Sequence, residues 1–231
     1  MSQDPYFGRH ECSNSDLGEL KKYFMPPAWA MDFDNALRFG TLVDAIITEP
    51  EKVNVYKRTV DDIIYKPEEI ELAKEMKRAF YKDELCRRFA EMSSFQSIFS
   101  GHVKLQYGSF EYELLMRCKY DLFMESLGYG GDIKSTAATT QKQFEEAILH
   151  FDYDRSRVVY MELSGAVKDI IIGISKVNCK IFKVYINKGD KLWKSGMDKL
   201  QDDAFKYYSL FEGFNPNAEP MKLWPGHSMA I

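Results

Sequence analysis

Apolar residues recur every three to four positions along the first part of the chain, which predicts amphipathic helices. A short helix is expected to open at residues 13–16, where small polar side chains can cap free backbone N–H groups, and to stop at Pro26 and Pro27. A second helix is expected from Asp34 to Ile47. A third, long helix is expected from residue 67 to about residue 92.

From residue 95 the apolar positions alternate with polar ones before helical spacing returns, so strands are expected here. The predicted elements of this part are strands at 95–107, 110–124 and 129–135, helices over 141–163, a hairpin at 169–175 and 180–186, and a helix at 191–211. The tail from Asn215 is expected to be loosely ordered. This order of elements predicts an α/β domain with a mixed sheet.

Length and composition favour a single domain. The 231 residues are 45% hydrophobic and 29% charged, which excludes wholesale disorder. We expect one domain over residues 1–231, with N-terminal helices at 13–92, a sheet with its helices at 95–186 and a C-terminal helix at 191–211.

Charge and cysteine content narrow the class of protein further. The net charge of −4 excludes a globally basic nucleic-acid coat protein, although it is compatible with a local basic groove. No apolar run approaches the ~20 residues of a membrane span, and the sequence opens without an apolar signal segment. The four cysteines and four histidines are scattered, so we expect a reduced, cytoplasmic protein without zinc.

The triplet Asp132-Ile133-Lys134 lies at the end of a predicted strand, where Asp132 and Lys134 share one face. If this strand pairs with the preceding one about a turn near Ser126 and Leu127, Asp121 lies beside Asp132. Two neighbouring carboxylates repel unless a cation lies between them, and with an adjacent amine they suit Mg²⁺-assisted phosphodiester hydrolysis. Strict alternation places one set of side chains together on this face of the preceding strand: Arg117, Lys119, Asp121 and Phe123. The alternative is a chance triplet.

Asp44 is unusual for a helix residue, because it falls on the same stripe as Leu37, Gly40 and Ile47. An ionised carboxylate on an apolar stripe is costly unless it is paired or binds a metal. Asp44 is therefore either a further metal ligand or the structural partner of a nearby lysine or arginine.

Four segments together resemble the phage-type exonucleases of the PD-(D/E)xK superfamily, the RecE-like and lambda-exonuclease-like recombination nucleases. The segments are CSNSDLGELKKY, ALRFGTLVDAIITEPEKV, RCKYDLF and GGDIKST, and they occur in the family's order between residues 10 and 165. Three positions depart from the family pattern. Tyr120 replaces the proline of the PD pair, Asp44 replaces the helix histidine, and Ser156 replaces the glutamine four residues before Tyr160. Glu111 and Glu113 are candidates for a further acidic ligand.

The resemblance implies an α/β fold with a restriction-endonuclease-like α-β-β-β-α-β core, and a Mg²⁺-dependent DNA exonuclease in which Mn²⁺ can substitute. The implied roles are catalysis by Lys134, Asp121 and Asp132, metal binding by Asp121, Asp132, the Ile133 carbonyl and Asp44, and substrate binding by Ser15, Arg155, Ser156 and Tyr160. Resection of duplex ends from 5′ to 3′, a single-strand annealing partner, a ring-shaped homo-oligomer and the cytoplasm (the host's, for a phage protein) are implied in the same way. The alternatives are an endonuclease or repair nuclease on this core, or a decayed DNA-binding or assembly protein.

Overall fold

The computed structural model describes residues 6, 9–26, 33–60 and 62–212, and the elements below lie within these ranges. The expectation of a loosely ordered tail from residue 215 falls outside them. Within the described residues, no helix is long and apolar enough to cross a membrane.

Four helices form the N-terminal part of the chain: α1 (Asn14–Phe24), α2 (Phe33–Thr48), α3 (Pro67–Lys82) and α4 (Glu84–Glu91). The Ser13 side chain caps α1 by accepting from the Asp16 N–H, and the Asp16 carboxylate accepts in turn from the Ser13 backbone N–H. The prediction of one long helix over 67–92 is wrong, because the helix is interrupted at Asp83. The Asp83 carboxylate accepts from the Cys86 N–H to start α4, and it pairs with Lys183 at 2.5 Å.

The large sheet contains β1 (Cys12–Ser13), β5 (Ser94–Tyr107), β6 (Phe110–Met124), β7 (Tyr129–Thr136), β8 (Lys168–Ser175) and β9 (Ile181–Asn187), and a small sheet contains β2 (Val53–Asn54), β3 (Thr59–Val60) and β4 (Ile63–Ile64). The remaining helices are α5 (Gln141–His150), α6 (Tyr153–Ser164) and α7 (Lys191–Phe211). The five long strands and α7 agree with the predicted boundaries to within one residue. The two-residue strands were not predicted.

The path through the large sheet is β1-β6-β7-β8-β9, with β5 on the other edge of β6. β5, β6 and β7 pair antiparallel, whereas β8 pairs parallel to β7 after the crossover through α5 and α6. A parallel pair needs such a crossover, which puts helices on a face of the sheet. The predicted mixed sheet and α-β-β-β-α-β core are therefore confirmed.

Apolar side chains cover both faces of the sheet. On one face, α2, α3 and α4 pack their buried residues against Ile170, Ile172 and Ile174 of β8. On the other face, α5 packs Phe144 and Ile148 against the alternate residues of β8 and β9. Because both faces are covered, β8 reads as a nearly continuous apolar run, as is usual for strands with a parallel neighbour.

Two strands, β1 and β7, pair with different parts of the same edge of β6. The gap between them lies beside the candidate active site. β5 pairs along almost the whole of β6, but on the opposite edge β1 pairs only with Met116 and Arg117, and β7 only with residues 122–124. The segment 118–121 lies between these two partners.

Candidate active site

β6 and β7 separate at Asp121. Their pairing has the predicted register, with Leu122 opposite Gly131, but the ladder ends there. Instead of the next backbone pair, the Ile133 N–H donates to Asp121 Oδ2 at 2.7 Å. Since the N–H and C=O of one strand residue point to the same edge, the Ile133 carbonyl also faces the gap. Asp121 and Asp132 thus lie on the two sides of an opening between neighbouring strands.

The predicted alternation of side chains between the two faces of β6 is wrong beyond Asp121. The rings of Tyr120 and Phe123 lie 5.0 Å apart on one face, so the side chains change sides between them. Two glycines that precede Asp132 allow this packing. A Cβ at Gly130 would lie 2.1 Å from the Tyr120 ring, and one at Gly131 would lie 2.5 Å from the ring of Phe89 on the other face.

The irregularity extends to β5, where Gln96 lies between the paired residues Phe95 and Ser97 but is itself unpaired with β6. Its φ of 53° is in the left-handed region, which a glutamine seldom adopts. In register, Gln96 is the residue opposite Asp121. Pairing with β6 is therefore interrupted on both of its edges at the level of Asp121.

Asp44 reaches this level from α2, which lies across β7 so closely that a Cβ at Gly40 would be 3.8 Å from Ser135 Oγ. Its carboxylate accepts from the Thr48 hydroxyl at 3.1 Å and from Gln96 Nε2 at 3.2 Å. These partners are neutral, which differs from the ion-pair alternative. The predicted apolar stripe is buried at Ile47, whereas Leu37 is 48% exposed.

Three carboxylates are close enough to influence one another. Burial raises the pKa of Asp44, and the Thr48 hydrogen bond and the Lys134 charge oppose this. Burial also raises the pKa of Asp121 well above its usual range, and the negative charges of Asp44 and Asp132 add to the effect.

Lys134 pairs with Asp132, as the shared strand face predicts. Its Nζ lies 2.6 Å from Asp132 Oδ2 and 5.4 Å from the centre of the Tyr153 ring on α6. Burial by itself would lower the pKa of Lys134, but the carboxylates of Asp132 and Asp121 outweigh burial and raise it. The amine is therefore a cation at neutral pH.

Arg157 on α6 is the part of the site that sequence reasoning missed. Its guanidinium is buried, with Nη1 3.4 Å from Asp132 Oδ1 and 3.8 Å from Asp169 Oδ1. The Tyr160 ring lies 3.8 Å below it. Burial would raise the pKa of Asp132, but Arg157 and Lys134 hold that pKa below its usual value. For Asp169 burial prevails and raises the pKa to about 7.

The acidic and basic groups of this cluster suit a divalent cation. With every group ionised, the four carboxylates of Asp44, Asp121, Asp132 and Asp169 exceed the two cations, Lys134 and Arg157. In the part of the chain that the structure describes, no three acidic, histidine or cysteine side chains form a complete ligand set. This still fits Mg²⁺, which usually takes one or two carboxylates and keeps several waters.

The four residues predicted to bind substrate have different surroundings. Ser15 is exposed in the first turn of α1, and Ser13, not Ser15, makes the cap. Arg155 does not fit the predicted contact with DNA, because it is 3% exposed and its guanidinium bonds to Asp203 and Asn14. Ser156 is also buried, with its Oγ 3.3 Å from Arg157 Nη2. Tyr160 is partly buried, and its ring lies against the Arg157 guanidinium.

The two glutamates considered as further acidic ligands lie near the start of β6, outside the cluster. Glu111 and Glu113 are exposed and face Gln106 and Lys104 across the hairpin. They do not fit a ligand role for a cation bound at Asp121.

The family that the sequence matches is consistent with this arrangement of strands and acidic residues. Residues 10–218 match the family described as the PDDEXK-like domain of unknown function, DUF3799. No curated protein matches the sequence significantly. A provisionally assigned exonuclease from Eubacterium rectale has a similar structure, with a TM-score of 0.59 and 16% identity over 89% of this chain and 82% of that one. A phage-related exonuclease from Haemophilus somnus 129PT aligns with a TM-score of 0.43 and 12% identity over 87% of this chain and 94% of that one.

The fold and the cluster thus define a protein of the PD-(D/E)xK class, with a mixed sheet and acidic residues where two of its strands separate. The chain belongs to the PDDEXK-like family, which confirms the resemblance seen in the sequence. Membership supports a nuclease, and PD-(D/E)xK nucleases generally use divalent metals.

We predict that replacing Arg157 by leucine lowers the free energy of unfolding by about 3–5 kcal/mol, because the variant leaves buried carboxylates without their partner. Adding Asp169→Asn should recover part of this loss, since it removes one of the uncompensated charges. Urea denaturation of the single and double variants measures both effects. Arg87, exposed and paired with Glu91, provides the control: Arg87→Leu should cost less than about 1 kcal/mol. An equal loss for the two arginines would contradict the prediction.

Proposed function

We propose that the protein is a Mg²⁺-dependent DNA exonuclease that resects linear duplex ends from 5′ to 3′. The observation that carries the proposal is the placement of Asp121, Asp132 and Lys134 where β6 and β7 separate. The hydrogen bond from Ile133 to Asp121 holds the two strands at this opening. Family membership and the exonuclease name of the Eubacterium rectale structure support the choice of nuclease.

Asp121 and Asp132 would hold the cation, with the Ile133 carbonyl and Asp44 as further oxygen donors. Their excess negative charge is what the site offers to a divalent ion, and oxygen donors suit Mg²⁺ or Mn²⁺. When bound, such an ion lowers the pKa of its water and stabilises negative charge on the scissile phosphate.

Lys134 has a role of its own in this proposal. Because neighbouring carboxylates keep its amine protonated, Lys134 is unsuited to remove a proton from water. Its Nζ can instead donate to the oxygen of the attacking water and oppose the charge that develops at the phosphate. The ion pair with Asp132 and the Tyr153 ring fix the amine in position for both tasks.

Arg157 has a supporting role, because it contacts Asp132 from the side away from Lys134 and lies too deep to reach DNA. It keeps the Asp132 carboxylate ionised and oriented. Among the residues expected to bind substrate, exposed Ser15 remains the candidate for a contact near the DNA end. A cytoplasmic location, a ring-shaped homo-oligomer, and a single-strand annealing partner in recombination are proposed from the family resemblance alone.

The decisive experiment compares linear and covalently closed circular duplex DNA, each with and without Mg²⁺. We expect the wild type to degrade only the linear form. With end-labelled linear DNA, a label at the 5′ ends should be released before a label at the 3′ ends. Lys134→Ala should abolish cleavage while the fold and DNA binding are retained. The matched control is Lys74→Ala on the solvent-facing side of α3, where activity should be unchanged. Cleavage of the circle would indicate an endonuclease, and inactivity of the wild type on both substrates would indicate a decayed site.

The second prediction for the site concerns the two carboxylates proposed to bind the metal, Asp121 and Asp132. Asp121→Asn should leave the melting temperature without metal unchanged or slightly raised, because it removes repulsion from Asp44 and Asp132. Addition of Mg²⁺ should stabilise this variant less than the wild type, since binding to the native state raises stability. Thermal melting with increasing Mg²⁺ tests this for Asp121→Asn and Asp132→Asn. Equal stabilisation of all three proteins would place the metal elsewhere.

The third prediction concerns Asp44, where the sequence departs from the family. Asp44→Ala should raise the Mg²⁺ concentration needed for half-maximal cleavage, because it removes a carboxylate near Asp121. Asp44→His should retain partial activity and shift the preference toward Mn²⁺, since imidazole suits softer ions. Activity titrated with Mg²⁺ and Mn²⁺ distinguishes a ligand from a structural residue. Loss of stability with an unchanged metal requirement would identify a structural residue.

A further inference from the structure

Gln96 combines a strained backbone with a partly buried, specifically bonded side chain. Its left-handed φ of 53° lies within a long strand, between residues that pair normally with β6. Such a conformation is costly for a residue with a side chain, and it persists only where the surroundings impose it. Strain of this kind is concentrated at functional sites. The position of Gln96 opposite Asp121 puts it at the level of the cluster.

The side-chain amide of Gln96 connects α2 to this point of the sheet. Its Nε2 lies 3.2 Å from Asp44 Oδ2 and 2.9 Å from Thr48 Oγ1. The Thr48 hydroxyl in turn shares its hydrogen between the Asp44 backbone carbonyl at 2.9 Å and Asp44 Oδ1 at 3.1 Å. The nitrogen of the amide faces the ionised carboxylate, since Oε1 and a carboxylate oxygen have no hydrogen to share. Gln96 and Thr48 therefore hold the Asp44 carboxylate from two directions.

The other end of the same amide has an unused acceptor. Gln96 Oε1 is buried, and among the described residues it has no hydrogen-bond partner. A buried acceptor without a donor is unfavourable, and an ordered water often satisfies it. The cations of the proposed class keep several waters, so their hydration shell can provide that donor.

We propose that Gln96 is a positioning residue of the metal site, which directs the Asp44 carboxylate toward the cation through Nε2 and accepts from a cation-bound water through Oε1. This inference rests on the proposed function and adds a residue on β5 to a site otherwise formed by α2, β6 and β7. The left-handed backbone is then the cost of turning this side chain toward Asp44 instead of along the strand face.

Glycine and asparagine provide the sharpest variants, because both accept a left-handed backbone more readily than glutamine. Gln96→Gly removes the amide, and Gln96→Asn keeps an amide on a side chain one methylene shorter. Both should fold with stability equal to or above the wild type. Their affinity for Mn²⁺, measured by calorimetry without DNA, should fall by about 10-fold or more, as is typical when a partner of a metal ligand is lost. The control is Gln106→Ala on the same strand, where the exposed amide bonds only locally and affinity should not change.

A double-variant cycle separates this role from a general effect on the fold. If Gln96 acts through Asp44, adding Gln96→Gly to Asp44→Ala should weaken Mn²⁺ binding far less than Gln96→Gly does alone. Additive losses would overturn the proposal, as would wild-type affinity in Gln96→Gly or a loss of stability in both Gln96 variants. Failure of the wild type itself to bind Mn²⁺ or cleave DNA would instead overturn the proposed function and, with it, the role of Gln96.

Discussion

The balance of charge around Asp132 is the constraint on which the rest of the site depends. Its buried carboxylate lies between Lys134 on its own strand and Arg157 on α6, and neither cation is freely exposed to water. Charges removed from water are tolerated only when they are well paired. Arg157 thereby links α6 to β7, and Asp169 of β8 lies against the same guanidinium. Three elements of the core, α6, β7 and β8, thus meet at one ionic cluster as well as in an apolar core.

The sequence predicts the sheet and its register well, because these features follow from local rules. Alternation and turn residues locate the strands, and the turn near Ser126 gives the register that pairs Leu122 with Gly131. The same rules fail where geometry departs from the average. A polar residue at position 96 is what a regular strand would also carry there, so nothing in the pattern reveals the left-handed backbone of Gln96. The helix break at Asp83 is missed for a similar reason, since it contains no proline or glycine.

The residues around the carboxylates are predictable only in part, because their roles depend on which face of a helix packs inward. Asp121, Asp132 and Lys134 come together as the strand pattern predicts, and Asp44 joins them from α2. Arg155 and Arg157, in contrast, look alike in sequence, and arginine is a residue type usual on a protein surface. The structure buries both, one against Asp203 and the other against Asp132. Charge alone does not distinguish a surface arginine from a buried partner of a carboxylate.

The two-residue strand β1 has a consequence for the sheet as a whole. It covers Met116 and Arg117 on the edge of β6 that β7 has left open. An uncovered strand edge offers unpaired N–H and C=O groups to any other extended chain, and proteins protect such edges to avoid aggregation. Two residues near the start of the sequence thus cover part of an edge formed a hundred residues later. Trimming the protein to the start of α1 would remove this cover and favour strand-to-strand association between molecules beside the candidate active site.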